Sequence, residues 1–276
     1  MRSVLNIFIV AIILLPTTAE ARKSWSRCHV NHPPIDRGVL LAESTTRFKS
    51  WNIQRAANVR LAGERLNGVV IPPRGRISYN KTVGRRTGNT GFRPAPTISR
   101  RRLVEGMGGG VCQTSSTLYA ASLLAGMRFE ERWAHTWTST YIAPGFDATV
   151  SYPQKDLIIR NPYPFAVRVS VEPKEGAINV QLWGEQAATG WVEIATSIAR
   201  KRLFETTRVL EPTLKSDDAR LALSGLDGLR IVRTRQHVRH RGRTRIEKLE
   251  PDIYYPRTEV WAVGSMDLMV PKARVF

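Results

Sequence analysis

The sequence predicts an α+β fold, in which a buried helix that carries a cysteine packs against an antiparallel sheet and a small all-β module follows. Three observations favour this class. Residues 114–125 are apolar almost all round, as in a buried helix. Short alternating or apolar runs between residues 128 and 183 are separated by proline, glycine and asparagine turns, which is typical of strands. After Trp191 only short strand-like segments follow.

The first 21 residues have the pattern of a secretory signal peptide. Arg2 supplies a positive start, residues 4–15 are almost entirely apolar, Pro16 breaks the run, and Ala19-Glu20-Ala21 fits a small-x-small cleavage site. The run is short for a bilayer span, and no other stretch is a candidate transmembrane helix. We therefore expect a secreted or periplasmic protein of the cell envelope, with no stable membrane span after cleavage. An uncleaved N-terminal anchor is the alternative.

The chain carries a formal net charge of +19, which attracts polyanions. For an exported protein, the phosphate- and carboxylate-bearing polymers of the cell envelope are the expected partners, and nucleic acid is not. A basic surface that serves only solubility is the alternative.

Between the signal segment and residue 110 the predicted elements are short. Residues 22–45 form a loosely ordered leader, residues 47–67 a helix that ends at Asn67-Gly68, and residues 69–71 and 76–79 two strands. Residues 80–110 are rich in glycine, proline and arginine and are expected to form a long functional loop. The predicted domains are residues 46–188, which would carry any catalysis, and a β-rich accessory module at residues 189–276.

The strands expected after residue 125 fall into two groups. Those of the first domain are residues 128–137, 147–152, 156–160, 165–171 and 178–183, and those of the module are residues 192–203, 206–210, 229–235, 244–249 and 259–263.

Cys28 and Cys112 are the only cysteines. In an oxidising compartment an even pair invites a disulfide, but the spacing does not decide whether these two are bridged. His29 and His32 lie near Cys28 in a proline-punctuated stretch that is more typical of a flexible tail than of a metal site. No metal is expected.

Cys112 is the strongest candidate for chemistry. It follows Gly108-Gly109-Gly110 and precedes the predicted buried helix, where partial positive charge stabilises a thiolate. The glycines allow close approach of a substrate, and their N–H groups could form an oxyanion hole. A cysteine that merely packs is the alternative.

His135 and Asp147 could complete a catalytic set. Cysteine at a helix start followed by histidine on an adjoining strand is the order of papain-like and transglutaminase-like enzymes, in which the histidine pairs with the thiolate and protonates the leaving group. Asp147 could orient His135. The alternatives are a half-buried histidine between Trp133 and Trp137 and an aspartate that caps a turn.

Five further residues are candidates for substrate binding or oxyanion stabilisation. They are Gly109, Gly110, Gln113, Arg132 and Tyr141. No local pattern assigns separate roles to Arg132 and Tyr141.

Residues 108–120, GGGVCQTSSTLYA, resemble the signature of the VanW family, and many separated positions from about residue 45 to 185 agree in order. These include Asn67-Gly68, Ser78-Tyr79-Asn80, Val83-Gly84, Arg86-Thr87, Gly91-Phe92, Pro94-Ala95-Pro96, His135, Tyr141, Pro144-Gly145 and Asp147-Ala148-Thr149-Val150. Met107 in the glycine run and Thr136 after the histidine depart from the family pattern, and neither removes the nucleophile.

The resemblance implies a cell-wall L,D-transpeptidase that uses the signature cysteine, because some members of the family have that activity. Stem peptides of peptidoglycan would be the substrates, and neither a metal nor an organic cofactor would be needed. Two alternatives stay open: a hydrolase of wall peptides with the same machinery, and a non-catalytic basic module that binds the envelope.

Overall fold

The computed structural model describes residues 24–27, 38–99, 102–186, 188, 190–239 and 244–266. The predicted signal peptide, Cys28, and His29 and His32 lie outside these residues, as does the tip of the predicted basic hairpin at residues 240–243.

The structure is a mixed α+β fold in which strands predominate, in agreement with the predicted class. The strands are β1 (Ser24–Arg27), β2 (Val39–Arg47), β3 (Val70–Ile71), β4 (Arg76–Ser78), β5 (Pro94–Ser99), β6 (Arg102–Met107), β7 (Arg128–Glu131), β8 (Ile158–Arg160), β9 (Val167–Lys174), β10 (Ala177–Gly184), β11 (Gly190–Arg202), β12 (Thr206–Leu210), β13 (Ala219–Leu223), β14 (Gly228–Arg239), β15 (Arg245–Tyr254) and β16 (Glu259–Val263). The helices are α1 (Ile53–Leu66), α2 (Tyr79–Val83) and α3 (Val111–Leu124).

The core lies between helices α1 and α3 and an antiparallel sheet of order β2-β10-β9-β3. Helix α3 packs on β2 and β10, and α1 packs on β9 and α3. Leu118, Leu123, Ile178 and Leu182 are fully buried in this core. The helix that carries Cys112 is thus fixed by packing on nearly all sides.

Helix α3 begins three residues earlier than the sequence pattern indicates. Gly110 is its N-cap residue, and Cys112 is the second residue of the helix rather than the residue before it. Thr114, Ser115 and Ser116 do not cap the helix, because Ser115 Oγ and Ser116 Oγ donate back to carbonyl oxygens. The predicted stop at Gly126 is confirmed, since this residue has a φ of 73°.

The predicted leader contributes two strands. Residues 39–47 form β2, which pairs with β10 along its whole length, and the backbone of β1 pairs with β11. The predicted helix start at Arg47 is therefore wrong, and α1 begins at Ile53 behind the capping side chain of Asn52. The polar residues of β2 hid its strand pattern: Thr46 is buried, but its hydroxyl pairs with that of Thr117 on α3.

The segment from 80 to 110 is more ordered than a long loop. It contains most of α2, a single 3-10 turn at Gly88–Thr90 and the two-stranded hairpin β5–β6. Prolines at both ends of the Pro94-Ala95-Pro96 run disguised β5, which is an edge strand that tolerates them.

The C-terminal region forms two sheets. One has the order β1-β11-β14-β15, and the other has the order β12-β16-β13 with β12 parallel to β16. The sequence located β11, β12, β14, β15 and β16 to within several residues and missed β13. Among the residues that the structure describes, no helix has the length and hydropathy needed to cross a membrane.

Candidate active site

The backbone conformation and close packing of Gly109 and Gly110 fix the position of Cys112 at the start of α3. Gly110 has a φ of 109°, a conformation that favours glycine. A side chain on Gly109 would come within 2.5 Å of Ala95 O on strand β5. Asn58 Nδ2 on α1 donates to Gly109 O at 2.9 Å. Strand β5 and helix α1 together clamp the turn that starts α3.

Cys112 is a half-buried free thiol that lines a cleft of about 760 Å³. Its Sγ lies 3.4 Å from Val150 O and 3.6 Å from Thr149 Oγ1. His135 lines the same cleft, together with Thr149 and Val150. A larger cavity, of about 1230 Å³, lies beside β7, β11, β14 and β15 and contains neither Cys112 nor His135.

His135 is held by Asp147 through two contacts. Its Nδ1 lies 2.6 Å from Asp147 Oδ2, and its backbone N–H donates to the same oxygen at 2.7 Å. This pairing leaves Nε2 as the ring nitrogen that is available to the cleft, where Tyr141 Oη lies 3.4 Å away. The structure thus brings Cys112, His135 and Asp147 together in a cysteine–histidine–aspartate order.

Neither His135 nor Asp147 lies in a strand, which corrects the expectation for both. Residues 132–157 make only isolated bridges, such as Trp133 with Thr149. The physical reason is that side chains satisfy the backbone here. Asp147 Oδ2 accepts the His135 N–H, and Ser116 Oγ of α3 accepts the Ala148 N–H at 3.0 Å.

The other oxygen of Asp147 contacts Arg132, which the sequence suggests for substrate binding, and Tyr254, which no local sequence pattern indicates. Tyr254 Oη donates to Asp147 Oδ1, and Arg132 Nη2 lies 3.3 Å from the same oxygen. Arg132 also bonds Asp252 Oδ1. Tyr254 and Asp252 belong to β15, more than 100 residues from Asp147 along the chain, so no local spacing could reveal them. The C-terminal region therefore supports the aspartate.

The electrostatics of the three side chains are coupled. Burial opposes charge on all three groups, but the interaction with His135 lowers the pKa of Cys112 to about 7, with help from Val150 and Thr149. Tyr141, then Asp147 and Cys112, raise the pKa of His135 well above its ordinary value despite burial. His135 and Arg132 lower the pKa of Asp147 to about 2. A thiolate beside an imidazolium is thereby favoured near neutral pH.

The remaining predicted site residues either contact His135 or pack in the protein interior behind the cleft. Tyr141 contacts the His135 ring at right angles, with ring centres 6.3 Å apart. Gly109, Gly110 and Gln113 do not line the cleft, whereas Gly108 and Val111 do. Gln113 is buried, and its Nε2 donates to Thr46 Oγ1 and to Arg47 O. The structure therefore gives Gln113 a packing role instead of the predicted substrate contact.

Arg132 also does not have the position expected of a residue that binds substrate or an oxyanion. Its guanidinium is about one-tenth exposed, lies behind Asp147 and is occupied by Asp147 and Asp252. Among the described residues, no cluster of three or more histidine, cysteine, aspartate or glutamate side chains is arranged to hold a metal ion.

Comparison with known proteins places the site in a family. Residues 54–183 match the family model described as VanW like protein. The chain is 35% identical over 159 residues to the protein YoaR of Bacillus subtilis (strain 168). This matched stretch covers 55% of this chain and 52% of YoaR. It is 26% identical over 144 residues to the vancomycin B-type resistance protein VanW of Enterococcus faecalis (strain ATCC 700802 / V583). This second matched stretch covers 50% of this chain and 52% of that protein.

The chain spans about half the length of the curated relatives that it matches. The matched segment contains Cys112, His135 and Asp147, and it ends before Tyr254. Residues 54–183 of this chain therefore form a domain that matches the VanW family.

Proposed function

We propose that the protein is a cysteine acyltransferase of the cell envelope that forms peptidoglycan cross-links as an L,D-transpeptidase. The observation that carries the proposal is that Cys112 and His135 line one cleft and that Asp147 holds the His135 ring. The chain order of cysteine before histidine is that of papain-like and transglutaminase-like enzymes. The resistance protein to which the chain is similar supports an association with the cell wall.

In the first half-reaction, the Cys112 thiolate attacks the carbonyl carbon that joins the third residue of a stem peptide to its terminal D-alanine. The new C–S bond forms as the C–N bond breaks, and the imidazolium of His135 gives its proton to the departing amine. Among the first N–H groups of α3, those of Val111 and Gln113 donate to Gly108 O and Gly110 O, and that of Cys112 would stabilise the oxyanion. Asp147 keeps the His135 ring oriented throughout.

In the second half-reaction, the side-chain amine of another stem peptide attacks the thioester. His135 takes a proton from that amine, the new amide forms, and the C–S bond breaks to return the Cys112 thiolate beside the His135 imidazolium. Water in place of the amine would give the hydrolase alternative, whose product is a shortened stem peptide. The two outcomes have products of different mass.

The test is to incubate the purified protein with a tetrapeptide-bearing muropeptide mixture and to weigh the products, with Cys112→Ala as the paired variant. We expect cross-linked dimers and free D-alanine from wild type and neither from the variant. Shortened monomers alone would assign the hydrolase. An unchanged mixture with both proteins would contradict enzymatic activity on these substrates and favour the non-catalytic alternative.

We also propose that the protein acts outside the cytoplasmic membrane and that its +19 charge holds it on anionic envelope polymers. The signal-peptide pattern of residues 1–21 supports export. N-terminal sequencing of protein recovered from the cell envelope tests this proposal, since cleavage predicts a chain that begins at Arg22. An intact N-terminus would indicate the anchored alternative.

A further inference from the structure

One cationic side chain in the Cys112 cleft is buried in a way that the mechanism above does not use. Arg86 lines the cleft and is half-buried. Its Nη1 donates to Gly84 O at 2.8 Å. Its Nη2 is buried and has no hydrogen-bond partner among the residues that the structure describes. A desolvated guanidinium nitrogen without an acceptor is costly unless something else supplies one.

The position of Arg86 is fixed by its neighbours. The guanidinium lies over the ring of Tyr79 at 5.5 Å and over that of Tyr152 at 5.9 Å. Its aliphatic stem packs at Gly108, where an added Cβ would come within 2.9 Å of both Arg86 Cβ and Cγ. A glycine at 108, four residues before Cys112, thus lets Arg86 approach the nucleophile.

Among the described residues, no acidic side chain accepts a hydrogen bond from Arg86 Nη2. Asp156 contributes electrostatically to Arg86, but its carboxylate is occupied by Ser78 Oγ and by the backbone N–H groups of Asn80 and Leu157. Arg85, which also lines the cleft, is exposed and stacks on Tyr152 at 5.5 Å. Of the two adjacent arginines, only Arg86 combines a rigid setting with an unused buried donor.

We propose that Arg86 is a specificity-determining residue that binds the free C-terminal carboxylate of the acyl donor. This inference rests on the proposed acyl transfer and deepens it. In a donor that ends at the released residue, the carboxylate lies one residue beyond the carbonyl that Cys112 attacks, about 3.8 Å along the chain. A guanidinium is suited to carboxylate geometry. The protein would therefore select donors that end at the residue it releases.

The test compares two synthetic donors, a stem tetrapeptide with a free C-terminal carboxylate and its C-terminal amide, on the full mature chain. Wild type is expected to release D-alanine from the acid with a kcat/KM about 10- to 100-fold above that for release of D-alaninamide from the amide, the range for a hydrogen bond to a charged group. Arg86→Met is expected to bring this ratio close to one. Arg86→Lys retains charge without the fork and should give an intermediate ratio. The matched control Arg85→Met removes one charge from the same cleft and should keep the wild-type ratio.

A second measurement separates this inference from the proposed function. Each peptide is tested for protection of Cys112 against iodoacetamide, which requires binding but no turnover. Equal acid-to-amide ratios in wild type and Arg86→Met, with turnover intact, would overturn the Arg86 assignment alone. Protection by the acid that is lost in Arg86→Met, without turnover by wild type, would overturn only the proposed transpeptidase. Absence of both turnover and carboxylate-dependent protection in wild type would overturn both. Thermal unfolding of each variant identifies any that fail to fold, and Arg86→Lys then replaces Arg86→Met.

Discussion

Replacing Tyr254 by phenylalanine deletes a single oxygen that joins β15 to the candidate active site. That oxygen donates to Asp147 Oδ1 and accepts the Gly145 N–H at 2.7 Å. In Tyr254→Phe, the buried Gly145 N–H loses its acceptor, and Arg132 becomes the remaining side-chain partner of Asp147 Oδ1. The variant therefore disturbs a carboxylate whose other oxygen holds His135.

The expected decrease in the free energy of unfolding follows from the loss of these two hydrogen bonds. A hydrogen bond to a charged group contributes about 1.5–3 kcal/mol, and a buried donor left unpaired costs about 1–3 kcal/mol. Allowing for partial relaxation, we expect the free energy of unfolding to fall by about 2–5 kcal/mol. At roughly 2–4 °C per kcal/mol for a chain of this size, Tm should fall by roughly 4–20 °C. The pKa of Asp147 should rise from about 2 but stay below neutrality, so the alkylation midpoint of Cys112 should change little.

Thermal and denaturant unfolding measure the effect, with Tyr163→Phe as the matched control. Tyr163 Oη donates to Ala125 O at 2.7 Å, at the other end of α3 from Cys112, and this neutral bond contributes about 1 kcal/mol. If Tyr254→Phe costs no more stability than Tyr163→Phe, the reasoning that β15 supports the carboxylate is wrong.

Three further predictions concern charge. Alkylation of Cys112 by iodoacetamide should show a midpoint near pH 7, below the value of about 8.5 expected for Cys28 in the unfolded protein. Activity should rise as pH increases through 7 and fall only as His135 loses its proton at its raised pKa. An alkylation midpoint at or above 8.5 would contradict the inference that Cys112 is a thiolate near neutral pH. Because the folded pKa of Asp147 lies below its ordinary value of 3.8, about 2 kcal/mol of stability should be present above pH 4 and be lost as pH falls through 2, and Asp147→Asn should lack this slope in denaturant titrations against pH. Replacing four arginines of the predicted basic hairpin with glutamine should weaken salt-sensitive binding to isolated sacculi and leave turnover of small muropeptides nearly unchanged; the four are Arg239, Arg241, Arg243 and Arg245. Equal loss of binding and turnover would contradict this division of roles.

Local patterns predicted the parts of the site that depend on local structure. The three glycines and the apolar run after them located the turn and helix that carry Cys112, because positive φ and continuous burial leave a mark on the sequence. The structure places His135 at the Cys112 cleft and Asp147 against His135, but neither lies in the strand that the sequence predicts for it. They are held by side-chain bonds to backbone groups and not by strand pairing.

The parts that were missed depend on contacts across long stretches of chain. Strand β2 was assigned to a leader because its threonines and glutamate mask the apolar alternation, and only pairing with β10 makes it a strand. Gln113 and Arg132 look like binding residues from their side chains alone. Both side chains form hydrogen bonds inside the protein, Gln113 with Thr46 and Arg132 with Asp252. The predicted domain boundary near residue 188 stays a prediction.

The bond from Tyr254 to Asp147 sets a limit on what can be moved between proteins. The family segment, residues 54–183, contains the nucleophile, the histidine and the aspartate, yet the hydrogen-bond network around the aspartate extends some 70 residues past its end. A chimaera that carries only this segment would have to supply a new phenol or an equivalent donor from its host. Asp147 has its full set of donors only when β15 is docked against it.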